Sequence, residues 1–234
     1  MSAVPSLPRA IVKFQSNTKA RDKIFRIVQY GSRFIVWYLT RQSAGGHTLT
    51  KKLQKLEAAL GLSRKLFRMG NSLELAQKVL DALTLRDPVL RQLAATAESF
   101  KTIWLLLDHA LWFGKVELIK INLPAVSRWA AWSWLIGLAA SVSYNILKLS
   151  HQQTQLDTVK LQMETLGRYD LADSLKTEMH IHRLSFWRHF CDLFIPLSSL
   201  QYVNPGLGAF CGLLSSVIGF QLEWEKHIKP FKPR

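Results

Sequence analysis

Between Leu62 and Leu73 the sequence sets Arg64, Lys65 and Arg68 among Leu62, Leu66, Met69 and Leu73. On a helix this spacing lines the four apolar residues into a stripe, with Arg64 and Arg68 across from it and Lys65 on the flank. The chemistry such a face can do is lipid binding: the stripe enters the acyl region and the basic groups meet lipid phosphates. Partial burial of the stripe would contribute on the order of 5 kcal/mol, and each basic residue about 1 kcal/mol on an anionic surface. Asp108 and His109 form a catalytic-looking pair by composition only, because no G-x-S-x-G elbow and no phosphate loop accompanies them. Asp108, inside an apolar run, is expected to be a paired or interfacial structural residue. His180 and His182 are two apart and face different sides of a helix, with Glu178 alone near ligand spacing, so no metal site is expected. Neither an enzyme nor a bound cofactor is expected.

The elements that must carry these residues are helical. From Thr18 to Leu39, Ile24, Ile27, Val28, Phe34, Ile35 and Tyr38 share a side with Gly31, and Arg26 and Arg33 fall opposite. From Leu56 to Leu83 the series Leu62, Leu66, Met69, Leu73, Ala76, Leu80 and Leu83 alternates steps of four and three, which predicts one amphipathic stretch. A third apolar run, Phe100 to Phe113, is too short and too polar to cross a bilayer. Such helices are also the ordinary parts of helical bundles, whose charged faces are solvated. The Arg64 to Arg68 face, basic without acidic partners, tempers that reading, since a solvated bundle helix more often alternates charge.

Composition narrows the partner. The chain of 234 residues carries a formal charge of +15 and eight Trp, with a mean hydropathy of +0.05, so it needs an anionic surface. Residues 1–128 hold 21 Lys/Arg against 8 Asp/Glu, a net of +13. These charges are spaced singly along apolar helices, and no zinc-finger, RRM or KH pattern is present, so an anionic phospholipid membrane is expected and nucleic acid is not. Two cysteines, Cys191 and Cys211, make no disulfide framework. The first residues lack a basic segment followed by an apolar one, so no secretory signal peptide is expected.

Two uncharged stretches are long enough to span. Trp129 to Leu147 lies between Arg128 and Lys148 and as a helix covers about 28 Å, with Trp129, Trp132, Trp134 and Tyr144 at interfacial depth. The stretch from Leu193 to Leu222 is interrupted by Pro196 and by Asn204, Pro205 and Gly206, which leaves Gly206 to Leu222 as the second span. Gly208, Gly212, Ser215, Ser216 and Gly219 make a small-residue surface on it, suited to close packing with another helix, a second copy included. The expected class is all-α, an integral membrane protein with N-terminal amphipathic helices and two transmembrane helices in the C-terminal half. Its order is a cytosolic or interfacial region 1–128, spans 129–147 and 206–222, an intervening lumenal loop 148–205 with an interfacial segment, and a basic cytosolic tail 223–234. Both termini fall on the cytosolic side because the basic residues concentrate there, while residues 148–192 balance six basic against six acidic residues.

Several segments, in order along nearly the whole chain, are similar to those of the peroxin-11 family. They are Ala20 to Arg26 (ARDKIFR) with Gln29, Tyr30 and Gly31; Lys52 to Glu57 (KLQKLE) with Ser63 to Gly70 (SRKLFRMG); Leu107 to Trp112 (LDHALW); and Asn204 to Gly206 through Ser215 and Ser216. The resemblance implies a multi-pass protein of the peroxisomal membrane, without enzymatic activity, that elongates the membrane and promotes peroxisome fission and proliferation. It also implies self-association and partnership with a fission machinery built on a dynamin-related GTPase and its membrane adaptor. On this reading Arg64, Lys65 and Arg68 hold lipid phosphates while Leu62, Leu66, Met69 and Leu73 insert. An alternative is a channel for small metabolites, which Asn145, Gln201 and Asn204 could line. A soluble bundle with Trp129 to Leu147 as its core helix is a third reading, opposed by the length of that uncharged run.

Overall fold

The computed structural model describes residues 7–42, 48–166 and 169–228, which form eight helices and no strand. Helix α1 is Leu7–Gln15, α2 Thr18–Arg41, α3 Thr48–Phe67, α4 Asn71–Leu83, α5 Pro88–Lys115, α6 Leu123–Leu166, α7 Tyr169–Ser199 and α8 Pro205–Ile228. Asx caps set four of the starts, Asn122 accepting from the amide of Ala125 at the start of α6. Asn17 accepts from the amides of Lys19 and Ala20, Asp87 accepts from Val89 and Leu90 ahead of Pro88, and Asn204 accepts from Gly206 after Pro205. Pro196 lies inside α7, which ends three residues later, so the break between α7 and α8 comes at Asn204 rather than at the proline.

Each long helix runs antiparallel to its neighbour. In α2 and α8 the contacts descend in opposite senses, Trp37 against Gly206, Tyr30 against Gly212 and Lys23 against Gly219. Gly208 of α8 meets Ser198 of α7, while at the other end Glu225 faces His180. Asn145 and Gln152 of α6 bond His189 and Glu178 of α7, and Gly137 of α6 abuts Ala97 and Lys101 of α5. Helix α3 returns along α2 through Arg33 to Glu57 and Arg64 to Asp22, and α4 packs on α5. Six rods thereby enclose an interior: α2, α8, α7, α6, α5 and the α3–α4 pair.

Both described chain ends lie at one end of this bundle. Phe14 of α1 packs on Phe220 and Trp224 of α8, in a cluster with Ala10, Ala20 and Ile228. The α4 helix lies at the same end, where Lys19 and Lys78 both hold Glu74. Hydrogen bonds from these two lysines pull the Glu74 carboxyl down to about 2 from its ordinary 4.5. The tie between α2 and α4 is therefore complete above about pH 4.5 and is lost only as the pH falls towards 2.

Three features differ from the sequence reading. The stretch Leu56 to Leu83 is two helices, broken at Arg68, Met69 and Gly70. The segment 148–205 is helical over its described residues except for the turn 200–204. In place of a loop across the bundle from the termini, α6 continues to Leu166 and α7 returns alongside it. Charge counting missed this because Arg188 and Asp192, scored as loop charges, lie inside the bundle. The small-residue surface of α8 is filled by α2 and α7 of the same chain, which leaves no room there for a second copy.

The closest approach is between α2 and α8. A Cβ on Gly212 would stand 2.4 Å from Cδ1 of the buried Tyr30 ring. Gly212→Val should therefore destabilise the bundle by about 1–3 kcal/mol, read as a lower melting temperature of the detergent-purified protein. Tyr30→Ala in the same chain should recover part of that loss.

Candidate functional site

The bundle buries polar and charged groups that a water-soluble protein more often leaves outside. Buried positions include Arg26, Gln29, Arg64, Asp108, Asn145, Gln152 and Asp192, whereas large apolar side chains stand outward on the helices. On α8 the split is complete: Gly208, Gly212, Ser215, Ser216 and Gly219 face in, and Leu207, Phe210, Leu214 and Val217 face out. Exposed Ile103 and Leu106 on α5, Trp187 and Phe190 on α7, and Val28 and Ile35 on α2 continue the outer surface. Apolar side chains exposed at helical spacing around a charged interior are what lipid as a solvent selects. Helices α6 and α8 contain stretches long and apolar enough to cross a bilayer.

The interior is built from ion pairs between distant helices. Arg64 of α3 donates through Nε to Asp22 of α2 at 2.7 Å and through Nη1 to Gln29 at 2.6 Å. Asp108 of α5 accepts from Lys65 and lies 2.8 Å from Nη2 of Arg68. Arg26 of α2 pairs with Asp192 of α7 at 2.5 Å. The guanidinium of Arg68 sits 5.0 Å from the centre of the Trp104 ring, which stacks on Trp134 at 4.9 Å.

These pairs reassign the face between Leu62 and Leu73. Arg64, Lys65 and Arg68 turn inward onto Asp22 and Asp108, so their partners are carboxylates of α2 and α5 rather than lipid phosphates. The acidic partners that looked missing are supplied 42 and 43 residues away in sequence. Leu66 is half exposed, Leu73 is 83% exposed, and Leu62 and Met69 are partly covered. Phe67, Leu80 and Leu83 extend the outward surface. Sequence reasoning recognised Asp108 as a paired residue but missed Asp192, Arg188, Trp104 and Trp134. Single charges set in otherwise apolar helices were the available signal.

Among the described residues the interior holds cavities of about 250 Å³ and about 570 Å³. Arg26, Arg64, Arg68, Trp104 and Trp134 line both, so the ion pairs and the Arg68, Trp104, Trp134 stack form the partition between them. Asn145 is buried between His182 and His189, and Gln201 and Asn204 lie exposed in the turn between α7 and α8. None of the three lines either cavity. Among the described residues no group of three His, Cys, Asp or Glu side chains could hold a metal ion.

Comparison with known proteins decides where this arrangement belongs. Residues 9–224 match the family of peroxisomal biogenesis factor 11 (PEX11). The chain belongs to that family. Peroxisomal membrane protein 11A of Bos taurus is 30% identical, the match covering 90% of this chain and 94% of the relative. Peroxisomal membrane protein 11B of Homo sapiens is 29% identical over 89% of this chain and 94% of its own length. The peroxisomal membrane protein 11 homolog of Dictyostelium discoideum is 24% identical, with 93% and 94% covered. No solved structure matches the chain. The PEX11 protein described here is thus an all-α protein of the peroxisomal membrane involved in peroxisome biogenesis.

In this PEX11 chain Asp108 carries the heaviest electrostatic load, since it is 3% exposed and serves two cations. Asp108→Ala leaves Lys65 and Arg68 uncompensated and should cost about 3–5 kcal/mol, seen as thermal unfolding well below that of the parent protein.

Proposed function

We propose that this chain elongates the peroxisomal membrane by placing extra apolar helix volume into one leaflet, and so promotes peroxisome division. The observation that carries this reading is the asymmetry of the bundle. Helices α1 and α4 lie only at the end where the described chain ends gather, and both point apolar residues outward: Leu7, Ile11 and Val12 on α1, Leu73, Leu80 and Leu83 on α4. At the opposite end the described helices are joined by short turns, 116–122 and 200–204. Volume inserted into one leaflet expands that leaflet and favours bending towards it. With both termini on the cytosolic side, that leaflet is the cytosolic one. Arg64, Lys65 and Arg68 contribute by fastening α3 to the bundle, while Leu66 and Leu73 contact lipid. Association between copies, through outward faces other than the filled surface of α8, would add the effect of many chains. It would also present a platform to a fission machinery containing a dynamin-related GTPase and its membrane adaptor.

Leu66→Asp combined with Leu73→Asp tests the apolar actuator. The double variant should still insert, resist carbonate extraction and keep the interior pairs, yet fail to elongate peroxisomes in cells lacking the parent protein. Normal elongation by that variant would exclude this surface as the actuator.

A second reading, passage of small metabolites, is favoured by the two cavities that meet at the Arg68, Trp104, Trp134 stack. Trp104→Ala removes the centre of the partition. It should raise the conductance of the protein in planar bilayers, and an unchanged conductance would rule out this interior as the path.

A further inference from the structure

We propose that the smaller cavity is a binding site for a phosphate group. Its lining gathers cations from several helices, among them Lys23 and Arg26 on α2, Arg68 next to the α3–α4 break, Lys101 on α5 and Arg188 on α7. Most cations and carboxylates there are committed to each other. Asp192 holds Arg26, Asp22 holds Arg64, Glu74 holds Lys19 and Lys78, Asp108 holds Arg68, and Lys101 has Glu98 at 3.3 Å. The remaining lining carboxylate, Glu223, faces His227 at 3.2 Å. Among the described residues this leaves Lys23 and Arg188 with no carboxylate at bonding distance. Arg188 donates to the His189 ring at 2.9 Å, and the Lys23 stem lies against the backbone of Gly219.

Two cations with no carboxylate at bonding distance, in a bundle that pairs most of its other interior charges, are costly, and an anion between them lowers the cost. The geometry selects the class of anion. A guanidinium fork beside a flexible ammonium can meet several oxygens of one tetrahedral group. Trp104 stacked on Trp134 forms one wall of the site. Thr18, Asn71 and Ser141 add neutral polar atoms to the lining. The phosphate can belong to a soluble molecule or to a lipid headgroup, since the chemistry at the cavity is shared. This site depends on neither proposed activity: it follows from the charge balance of the interior.

The test uses full-length protein in phosphatidylcholine nanodiscs, melted with sodium phosphate and with sodium chloride at equal ionic strength. A melting temperature raised by phosphate beyond the chloride control supports a soluble ligand. The same rise with short-chain phosphatidate, and not with inorganic phosphate, assigns the site to a headgroup. Lys23→Met and Arg188→Met should each weaken the response about ten- to a hundredfold in the concentration required. Both variants should also melt at or above the temperature of the ligand-free parent protein, because each removes an uncompensated charge; a purely structural role predicts the opposite. The proposal is overturned if neither phosphate nor phosphatidate raises the melting temperature beyond chloride, if the variants respond as the parent does, or if both melt lower.

Discussion

A charge inside a bundle that faces lipid has no water to fall back on, and this constraint fixes how the helices of this chain can be arranged. Asp108 must reach Lys65 and Arg68, Arg64 must reach Asp22, and Arg26 must reach Asp192. Each pair joins two different helices, so satisfying all of them closes α2, α3, α5 and α7 around one interior. Apolar packing cannot perform that selection in a bilayer, because lipid tails solvate leucine as well as another helix does. Shape supplies the rest of the specificity, chiefly where the glycines of α8 admit Tyr30 and Trp37.

The same constraint explains why the amphipathic helices face as they do. In water, a leucine stripe turns inward and arginines turn out. Here the exposed stripe of α8 and the outward Leu66 and Leu73 place the apolar surface on the outside, with the guanidiniums held within. An apolar exterior and an interior whose charges are mostly paired are one solution to one problem. They also separate the two tasks ascribed to this protein: the outer surface meets the bilayer, and the interior determines what the bundle can hold.

Much of this was legible from residue patterns. Periodicity located α2 almost to the residue, the uncharged runs located the apolar parts of α6 and α8, and an aspartate in an apolar helix announced a partner. The family resemblance rested on ordered short motifs, and the comparison over residues 9–224 carries it. What pattern could not give was pairing over distance. Arg64, Lys65 and Arg68 looked unpartnered because Asp22 and Asp108 are remote in sequence, and this turned an interior face into an apparent lipid-phosphate face. The break at Gly70 was hidden because the heptad-like series runs through it unaltered, and the backbone turns there without any steric requirement for glycine. The return of α7 was hidden because Asp192 resembles a loop charge until its partner on α2 is known.

The bond between Arg26 and Asp192 joins residues 166 positions apart, and this separation governs the order in which the protein can be made. When α2 leaves the ribosome, its counter-ion has not been synthesised, and an arginine stranded in lipid costs several kcal/mol. A helix carrying that charge gains little by entering the bilayer early. The N-terminal half therefore has to be held in an insertion-competent state until α7 is complete. Delivery of a finished chain to the membrane is the route that this single contact favours.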